Sequence, residues 1–554
     1  MSNLIRVTNL SNILKLVIEN FRGIKRFSET FDKNFICLIG RGDSGKTTIL
    51  DSIYYALYPS YILQFYDTDF FNADVTQSIK IDVTLANVPD ILQTEDKFGL
   101  YKRQYNKNSG EITDEIIDNP ELEDVYTIRL TVDKTLEPRW EIITGRQEPK
   151  AISATDRSKL NCFFISDYVD KHFSWNKGAP LYQLLKKFPS ETDERNIIID
   201  RLREVKIGID SAGFPQTENA INEVSKYSGI LGLNIGTIKT SIDFKDIVIK
   251  DTKVCLNNDN NIPLRLMGKG SKRIISMAIQ LALAKHGGIV LIDEIEQGLE
   301  PDRIKQIVSS LKSENEGQIF LTTHSRDAIV ELESNDLYLV KKSDDKENVY
   351  IKNIPSKDNW QAIVRSNPEG FFCNKIIVCE GKTEIGLCRA MDSWRIKQKL
   401  PSMAAKDCFY IEGQGSSTID RAKKIKELGF DVCVFVDSDR QDVNEQKHLL
   451  EDNNIQVFDC EIGNDIEHQI FKDLPWELIE RLISNKDVSS LGSISDTDRD
   501  RTRIAGLSIT KDKEWYKRID KAEMLGDAIF ENWNTISDCH MKRVWSALSD
   551  WIDA

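Results

Sequence analysis

Two groups of residues in this 554-residue chain have the types and spacing for phosphate chemistry. The first is Gly40-Arg41-Gly42-Asp43-Ser44-Gly45-Lys46-Thr47, a full GxxxxGK[ST] loop; the second, far along the chain, is Glu380-Gly381-Lys382-Thr383-Glu384 with Asp437-Ser438-Asp439. In such a loop Gly40, Gly42, Ser44 and Gly45 turn backbone amides onto phosphate oxygens. Lys46 then neutralises the outer phosphates, Thr47 holds Mg²⁺, and Thr48 continues into a helix whose positive end adds to the attraction. Carboxylates grouped as in the second set suit hard cations, which take oxygen ligands.

Each group needs a rigid element behind it. Phe35–Ile39 is an apolar run that reads as a buried strand ahead of the loop, and Thr48–Ile53 as a helix after it. Lys375–Cys379 reads as a strand presenting Glu380, and Asp431–Val436 as another presenting Asp437 and Asp439, which at i and i+2 share one face of an extended chain. Glu384 approaches from the first strand's end. Strands alternating with helices predict an α/β protein.

A third apolar run, Gly288–Ile292, ends in Asp293-Glu294, which suits a parallel strand delivering acids to a sheet edge. Asp293 is placed to reach the Mg²⁺, and Glu294 to orient an attacking water. Gly298-Leu299-Glu300-Pro301 follows, then the strand Gln318–Thr323 ending in His324-Ser325. This order resembles the ATP-binding-cassette type of ATPase, with Walker B, D-loop and switch histidine in sequence. Leu16 to Ile24 resembles the first strand of the SMC and RecF branch of that class. The signature segment departs from its LSGGQ-like pattern: it reads Gly268-Lys269-Gly270-Ser271-Lys272-Arg273, ahead of a helix expected over Ile274 to Lys285. Gly268, Gly270 and Ser271 are its candidates to touch a γ-phosphate.

Strand-EGxTE, helix and strand-DxD together resemble a Toprim domain, the metal-binding fold of primases, topoisomerases and certain nucleases. An ABC-type ATPase followed by Toprim resembles the OLD (overcoming lysogenization defect) family of nucleases over nearly the whole chain. Phe70-Phe71-Asn72, Gly370-Phe371-Phe372 and Asn464-Asp465-Ile466-Glu467 are further family-like pieces. The resemblance implies that Asp465 and Glu467 serve the metal site, and that a C-terminal lysine assists, with Lys517 favoured over Lys521. It implies an ATP-binding DNA endonuclease using Mg²⁺ or Mn²⁺, closest to the class with a shorter carboxy-terminal region that includes the Gabija nuclease subunit and retron-associated nucleases. Phage defence, with a possible partner protein of the defence system, is the implied biology. The alternative is an SMC- or RecF-like ATP-driven DNA-binding protein whose Toprim domain does not cut.

Residues 1–185 and 236–345 are expected to form the ATPase, 186–235 a helical insertion, and 346–554 the Toprim domain with a C-terminal helical region. Ile198, Ile199, Leu202 and Val205, then Ala220, Ile221 and Val224, carry helical spacing in the insertion. In the family such an insertion dimerises the chain, implying a dimer or tetramer. The polar stretch Lys341 to Glu347 reads as a surface turn near the domain boundary.

A net charge of −14 excludes a generally basic coat, so DNA must meet a local basic surface; Arg421-Lys423-Lys424-Lys426 is a candidate. Ten cysteines without CxxC spacing read as thiols of a reduced cytoplasm, several of them, such as Cys37, Cys379 and Cys433, inside core strands. Six histidines form no zinc pattern, and no apolar run approaches the roughly 18 residues of a membrane span. An SMC-like clamp needs a long heptad repeat, which Pro149, Pro180, Pro189 and Pro215 interrupt.

Overall fold

The computed structural model of the chain describes residues 11–166, 257–284, 288–314, 317–343, 345–475 and 519–554, with isolated positions between. It divides into two compact units: residues 1–167 with 284–554, and residues 168–283. The helices expected over 186–235 lie almost entirely outside the described residues. In the second unit α2 (Lys269–Ala284) begins five residues before the expected Ile274, so Gly270 and Ser271 occupy its first turn.

The first unit holds three sheets. An antiparallel sheet is built from β1 (Asn12–Phe21), β2 (Ile24–Thr30), β4 (Ile79–Ala86), β5 (Arg103–Asn106), β6 (Ile112–Thr113), β7 (Leu122–Val132), β8 (Pro138–Thr144) and β9 (Gln147–Ala151). Its order is β2-β1-β4-β7-β5-β6, with β8 and β9 continuing from β7. The stretch Leu16 to Ile24, expected as one strand, breaks after Phe21. Arg22 takes a positive φ of 48°, which reverses the chain into β2, and its guanidinium pairs with Asp51 and Asp69.

The second sheet is parallel but for its last strand, in the order β10 (Cys162–Ile165), β11 (Ile289–Ile292), β12 (Gln318–Thr322), β3 (Phe35–Ile39), β13 (Leu337–Lys342), β14 (Val349–Asn353), with α3 (Pro301–Glu314) between β11 and β12 in the chain. Its inner strands are covered on both faces, which is why they read as unbroken apolar runs. Between the two sheets lies α1 (Lys46–Ala56). Ile49, Leu50 and Ile53 pack there against Leu16, Ile18 and Ile81 on one side and Ile36, Leu38 and Phe320 on the other. Each such side chain contributes about 1.5–3 kcal/mol of burial, so the helix that carries the phosphate loop is held firmly. The expected polar turn is closed at Ser343, whose N–H donates to Asn348 O at 2.9 Å and whose carbonyl accepts from Lys346 N–H at 2.8 Å. Lys341 is buried at the end of β13, and β14 rejoins the ATPase sheet as far as Asn353.

The third sheet is wholly parallel, in the order β16 (Cys408–Glu412), β15 (Lys375–Cys379), β17 (Asp431–Val436), β18 (Gln456–Asp459). Helices α4 (Lys382–Lys397), α5 (Thr418–Glu427) and α6 (Ile466–Asp473) belong to it, and the C-terminal α7 (Ile519–Glu531) and α8 (His540–Asp553) complete its core. Ile529, Phe530, Trp545 and Leu548 pack with Ile377, Cys433 and Phe435. Gly526 of α7 meets α4 so closely that an added Cβ would lie 2.4 Å from the Ala390 Cβ. Cys37, Cys379 and Cys433 are buried free thiols. Among the described residues no helix is long and apolar enough to cross a membrane.

Candidate functional site

The phosphate loop leaves β3 at Gly40, whose φ of 137° and closeness to β13 both demand glycine: a Cβ there would stand 2.7 Å from the Val340 carbonyl. Gly45, at φ 106°, then starts α1. Lys46 is buried and folds back on its own loop, donating to Gly40 O at 2.9 Å, Arg41 O at 2.7 Å and Ser44 Oγ at 3.3 Å. Burial presses its pKa down to about 8, against the pull of Asp293, Glu294 and Asp43. Thr47 Oγ1 donates to Asp293 Oδ1 at 3.1 Å, and Thr322 Oγ1 donates to the same oxygen at 2.7 Å. A hydroxyl and a carboxylate so placed fit a hard cation.

Glu294 follows Asp293 at a positive φ of 46°, and its N–H donates to Thr322 Oγ1 at 2.8 Å. A cavity of about 420 Å³ is lined by Gly42, Gly45, Lys46, Thr47, Thr48, Glu294 and His324, the room that a nucleotide's phosphates need. The structure thus brings three motifs that are far apart in sequence to the lining of one cavity. His324 sits at its rim, its pKa lowered by burial and by Lys46. One partner escaped the sequence reading: Glu296 accepts from the His324 N–H at 2.6 Å and from Thr323 Oγ1 at 2.7 Å. Gly268, Gly270 and Ser271 belong to the second unit, where a Cβ added at Gly268 meets nothing within 4 Å.

The carboxylates of the third sheet gather at its C-terminal edge because β15 and β17 are parallel neighbours. Glu380 N–H donates to Phe435 O at 3.0 Å, and the Asp437 N–H donates to Glu380 Oε2 at 3.0 Å. Burial raises the Glu380 pKa and the Asp439 charge adds to this, opposed by the Asp437 N–H, Arg440 and Lys447. Asp437 Oδ1 accepts from Ile466 N–H at 2.8 Å, so it caps α6, while Asp439 is exposed. Carboxylate oxygens are the donor type that hard divalent cations take.

Glu384 stands at the start of α4. It is buried, and its Oε2 accepts from Gly381 N–H at 2.7 Å, a cap on its own helix α4. Asp465 is half-buried just ahead of α6, and Glu467 lies within that helix. Lys517 lies outside the described residues, and Lys521 is on α7. Among the described residues no three His, Cys, Asp or Glu side chains converge closely enough to hold a metal ion as they stand.

Two neighbours carried no motif. Lys447, between β17 and β18, donates to Ser438 Oγ at 2.7 Å, Asp459 Oδ2 at 2.8 Å and Asp437 O at 3.1 Å. Asp459 ends β18, a further short strand closing in an acid, and that pattern was the signal available. The basic patch on α5 is corrected by the structure. Arg421 is buried and donates to Glu412 O and Gln414, Lys424 donates to Asp358 O at 2.9 Å, and Lys426 pairs with Asp431 at 3.5 Å. These three groups brace the fold, which leaves Lys423 as the remaining member of the patch.

Comparison with known proteins adds two family matches. Residues 35–331 match the family described as "AAA domain, putative AbiEii toxin, Type IV TA system", and residues 371–439 match the Toprim domain of overcoming lysogenization defect protein-like proteins. No curated protein matches the chain. Among solved structures, an Smc head bound to the C-terminal winged-helix domain of ScpA is 16% identical with a TM-score of 0.36, covering 62% of this chain and 97% of its own. The Pyrococcus furiosus Smc head with an extended coiled coil, bound to the C-terminal domain of ScpA, is 14% identical at a TM-score of 0.33, covering 62% and 97%. The Thermotoga maritima SMC head is 12% identical at 0.29, covering 62% and 99%. With the AAA match spanning more than half its length, the chain belongs to that AAA family, and the OLD-like Toprim domain after it gives the chain the ATPase-then-Toprim order of OLD-family proteins.

Proposed function

We propose that this protein is an ATP-binding, metal-dependent DNA endonuclease acting in antiphage defence in the cytoplasm. The observation that carries the reading is the edge shared by Glu380, Asp437 and Asp439 on adjacent parallel strands, on the same chain as a complete nucleotide cradle. A bound Mg²⁺ or Mn²⁺ pair supplies water activation and leaving-group stabilisation there. Glu380, Asp437 and Asp439 would hold the cations, with Glu384, Asp465 and Glu467 as the remaining candidate ligands. Asp439, the exposed member of the three, is assigned to meet the entering phosphodiester. Lys517, or Lys521, is assigned to the charge developing on the scissile phosphate.

On the ATPase side Lys46 would exchange the loop carbonyls for phosphate oxygens, Thr47 and Asp293 would hold the Mg²⁺ that neutralises phosphate charge, and Glu294 would orient the water beside His324. Gly268, Gly270 and Ser271 are proposed to meet the γ-phosphate of a second copy, with residues 186–235 joining copies into a dimer or tetramer. Polar substitution of Ile198 and Leu202 should then lower the mass seen by light scattering.

The second reading is an SMC- or RecF-like ATP-driven DNA-binding protein with a Toprim domain that does not cut. It draws on the unconverged carboxylates. Supercoiled and linear DNA, incubated with the protein and Mg²⁺ or Mn²⁺, with and without ATP, separates the two. Cleavage that excess EDTA stops supports the nuclease, and ATP-dependent binding without cleavage supports the second reading.

A further inference from the structure

The acid edge is aimed by a turn, and the turn is fastened at its middle residue. Ser438 is fully buried. Its N–H donates to Asn464 O at 2.9 Å, its Oγ lies 2.8 Å from Cys460 O, and its carbonyl accepts from Gly463 N–H at 2.8 Å and Asn444 Nδ2 at 2.9 Å. Into this knot comes one cation, Lys447. An ammonium has three donors, and here they meet three acceptors: the Asp437 carbonyl, the Ser438 hydroxyl and the Asp459 carboxylate. The Lys447 side chain is only 14% exposed. A charge-assisted bond in such surroundings is about twice as strong as a neutral one. It links the turn after β17 to the end of β18, and Asp437 and Asp439 flank the point it grips.

We infer that Lys447, paired with Asp459, is a positioning residue for divalent-cation binding at this edge, fixing the direction in which Asp437 and Asp439 present their carboxylates. The inference rests on the metal-site reading above. Positioning and charge predict opposite signs. A lysine that acted only through its charge would repel a cation, so its removal would tighten binding. A lysine that holds the turn weakens binding when removed, because two carboxylates must then be ordered at the moment of binding.

The test is direct Mn²⁺ binding to the full-length protein without DNA, followed by electron paramagnetic resonance of free Mn²⁺, alongside ATP hydrolysis and thermal melting. Lys447→Met should weaken Mn²⁺ binding tenfold or more with ATP hydrolysis unchanged. Lys447→Arg, which can still bridge Asp459 to the turn, should recover part of the loss. Asp459→Asn should weaken binding as well, and the Lys447→Met/Asp459→Asn double variant should be no worse than the weaker single, since both cut one linkage. Should Lys447→Met fail to fold, Lys447→Arg and Asp459→Asn carry the comparison. Wild-type or tighter Mn²⁺ binding in folded variants, or additive losses in the double variant, overturns the inference. Asp439→Ala tells the two readings apart: if it too binds Mn²⁺ normally, the metal site itself is wrong. If it loses Mn²⁺ while Lys447→Met keeps it, only the positioning role fails.

Discussion

Arg41 of the phosphate loop is ion-paired with Asp407, the residue that precedes β16 in the Toprim sheet. The same Arg41 accepts Lys46 Nζ on its carbonyl at 2.7 Å. Asp407 in turn accepts Asn374 N–H on its carboxylate at 3.1 Å and Lys375 N–H on its carbonyl at 2.9 Å, at the start of the strand that ends at Glu380. One residue therefore touches the nucleotide lysine through its backbone and the acid-bearing sheet through its side chain. His324 lies against Phe372 as well, the rings tilted at 37° with centroids 5.7 Å apart.

Replacing Arg41 by Ala should cost little stability, about 0.2–1 kcal/mol, because the pair is partly exposed. Its effect should appear in the coupling: the change in cleavage rate on adding ATP should shrink severalfold, while ATP affinity stays within about threefold. Cleavage rates with and without ATP measure this. An ATP response equal to wild type would show that the pair transmits nothing.

In the nucleotide cradle, Lys46→Ala should abolish ATP binding in calorimetry. Glu294→Gln should leave binding intact and slow hydrolysis by about 10²–10³-fold, as expected for loss of the water-orienting carboxylate. Glu296→Ala, which deprives His324 of its backbone anchor, should slow hydrolysis less, by about tenfold. Equal turnover in all three would remove the assignment.

For the acid edge, Asp437→Ala, Asp439→Ala and Glu380→Ala should each lower DNA cleavage by about three orders of magnitude with ATP hydrolysis little changed. Glu384 calls for a different pair of variants because it caps α4. Glu384→Ala should lose about 1–2 kcal/mol in denaturant unfolding. Glu384→Gln keeps an acceptor for the Gly381 N–H and should stay folded. If that stable variant also stops cutting, Glu384 must swing from its cap to a cation.

Lys341 gives a pH signature. It is buried, donates to Gly429 O at 2.7 Å and lies 3.6 Å from the Phe430 ring centroid, and burial lowers its pKa to about 8. Below that pH both folded and unfolded chains hold the proton, so the cost of burying the charge is full. Between about 8 and 10.5 the unfolded chain keeps a proton that the folded one has shed, and stability climbs with pH, by on the order of 3 kcal/mol from this group. Lys341→Met should flatten that climb in melting curves recorded from pH 7 to 10. An unchanged slope would assign the titration to another group.

Strands that end in chemistry were the legible part of this chain. β3, β11, β15 and β17 are buried on both faces, so each reads as an apolar run stopped by Gly40, Asp293, Glu380 or Asp437. Partners arriving from elsewhere in space left no such mark. Lys447 follows Asp439 by eight residues in no motif, and Glu384 matches its motif whether it ligates or caps. Arg421 was legible and misread. It lies three residues after Thr418 and four before Ile425, on the face of α5 that periodicity assigns to the core, and all three are buried.

The neighbours of β3 have a consequence for how this protein is made. Its two flanking strands, β12 and β13, are encoded some 280 residues after it, from Gln318 and Leu337 onward. At about 5–20 residues per second, the strand bearing the phosphate loop waits roughly 15–60 s on the ribosome with both edges unpaired. Unpaired apolar edges invite wrong pairing, and late non-local contacts slow folding. Production of this protein should therefore depend on elongation rate and chaperone supply during synthesis, and a chain halted before Gln318 should be found in the insoluble fraction.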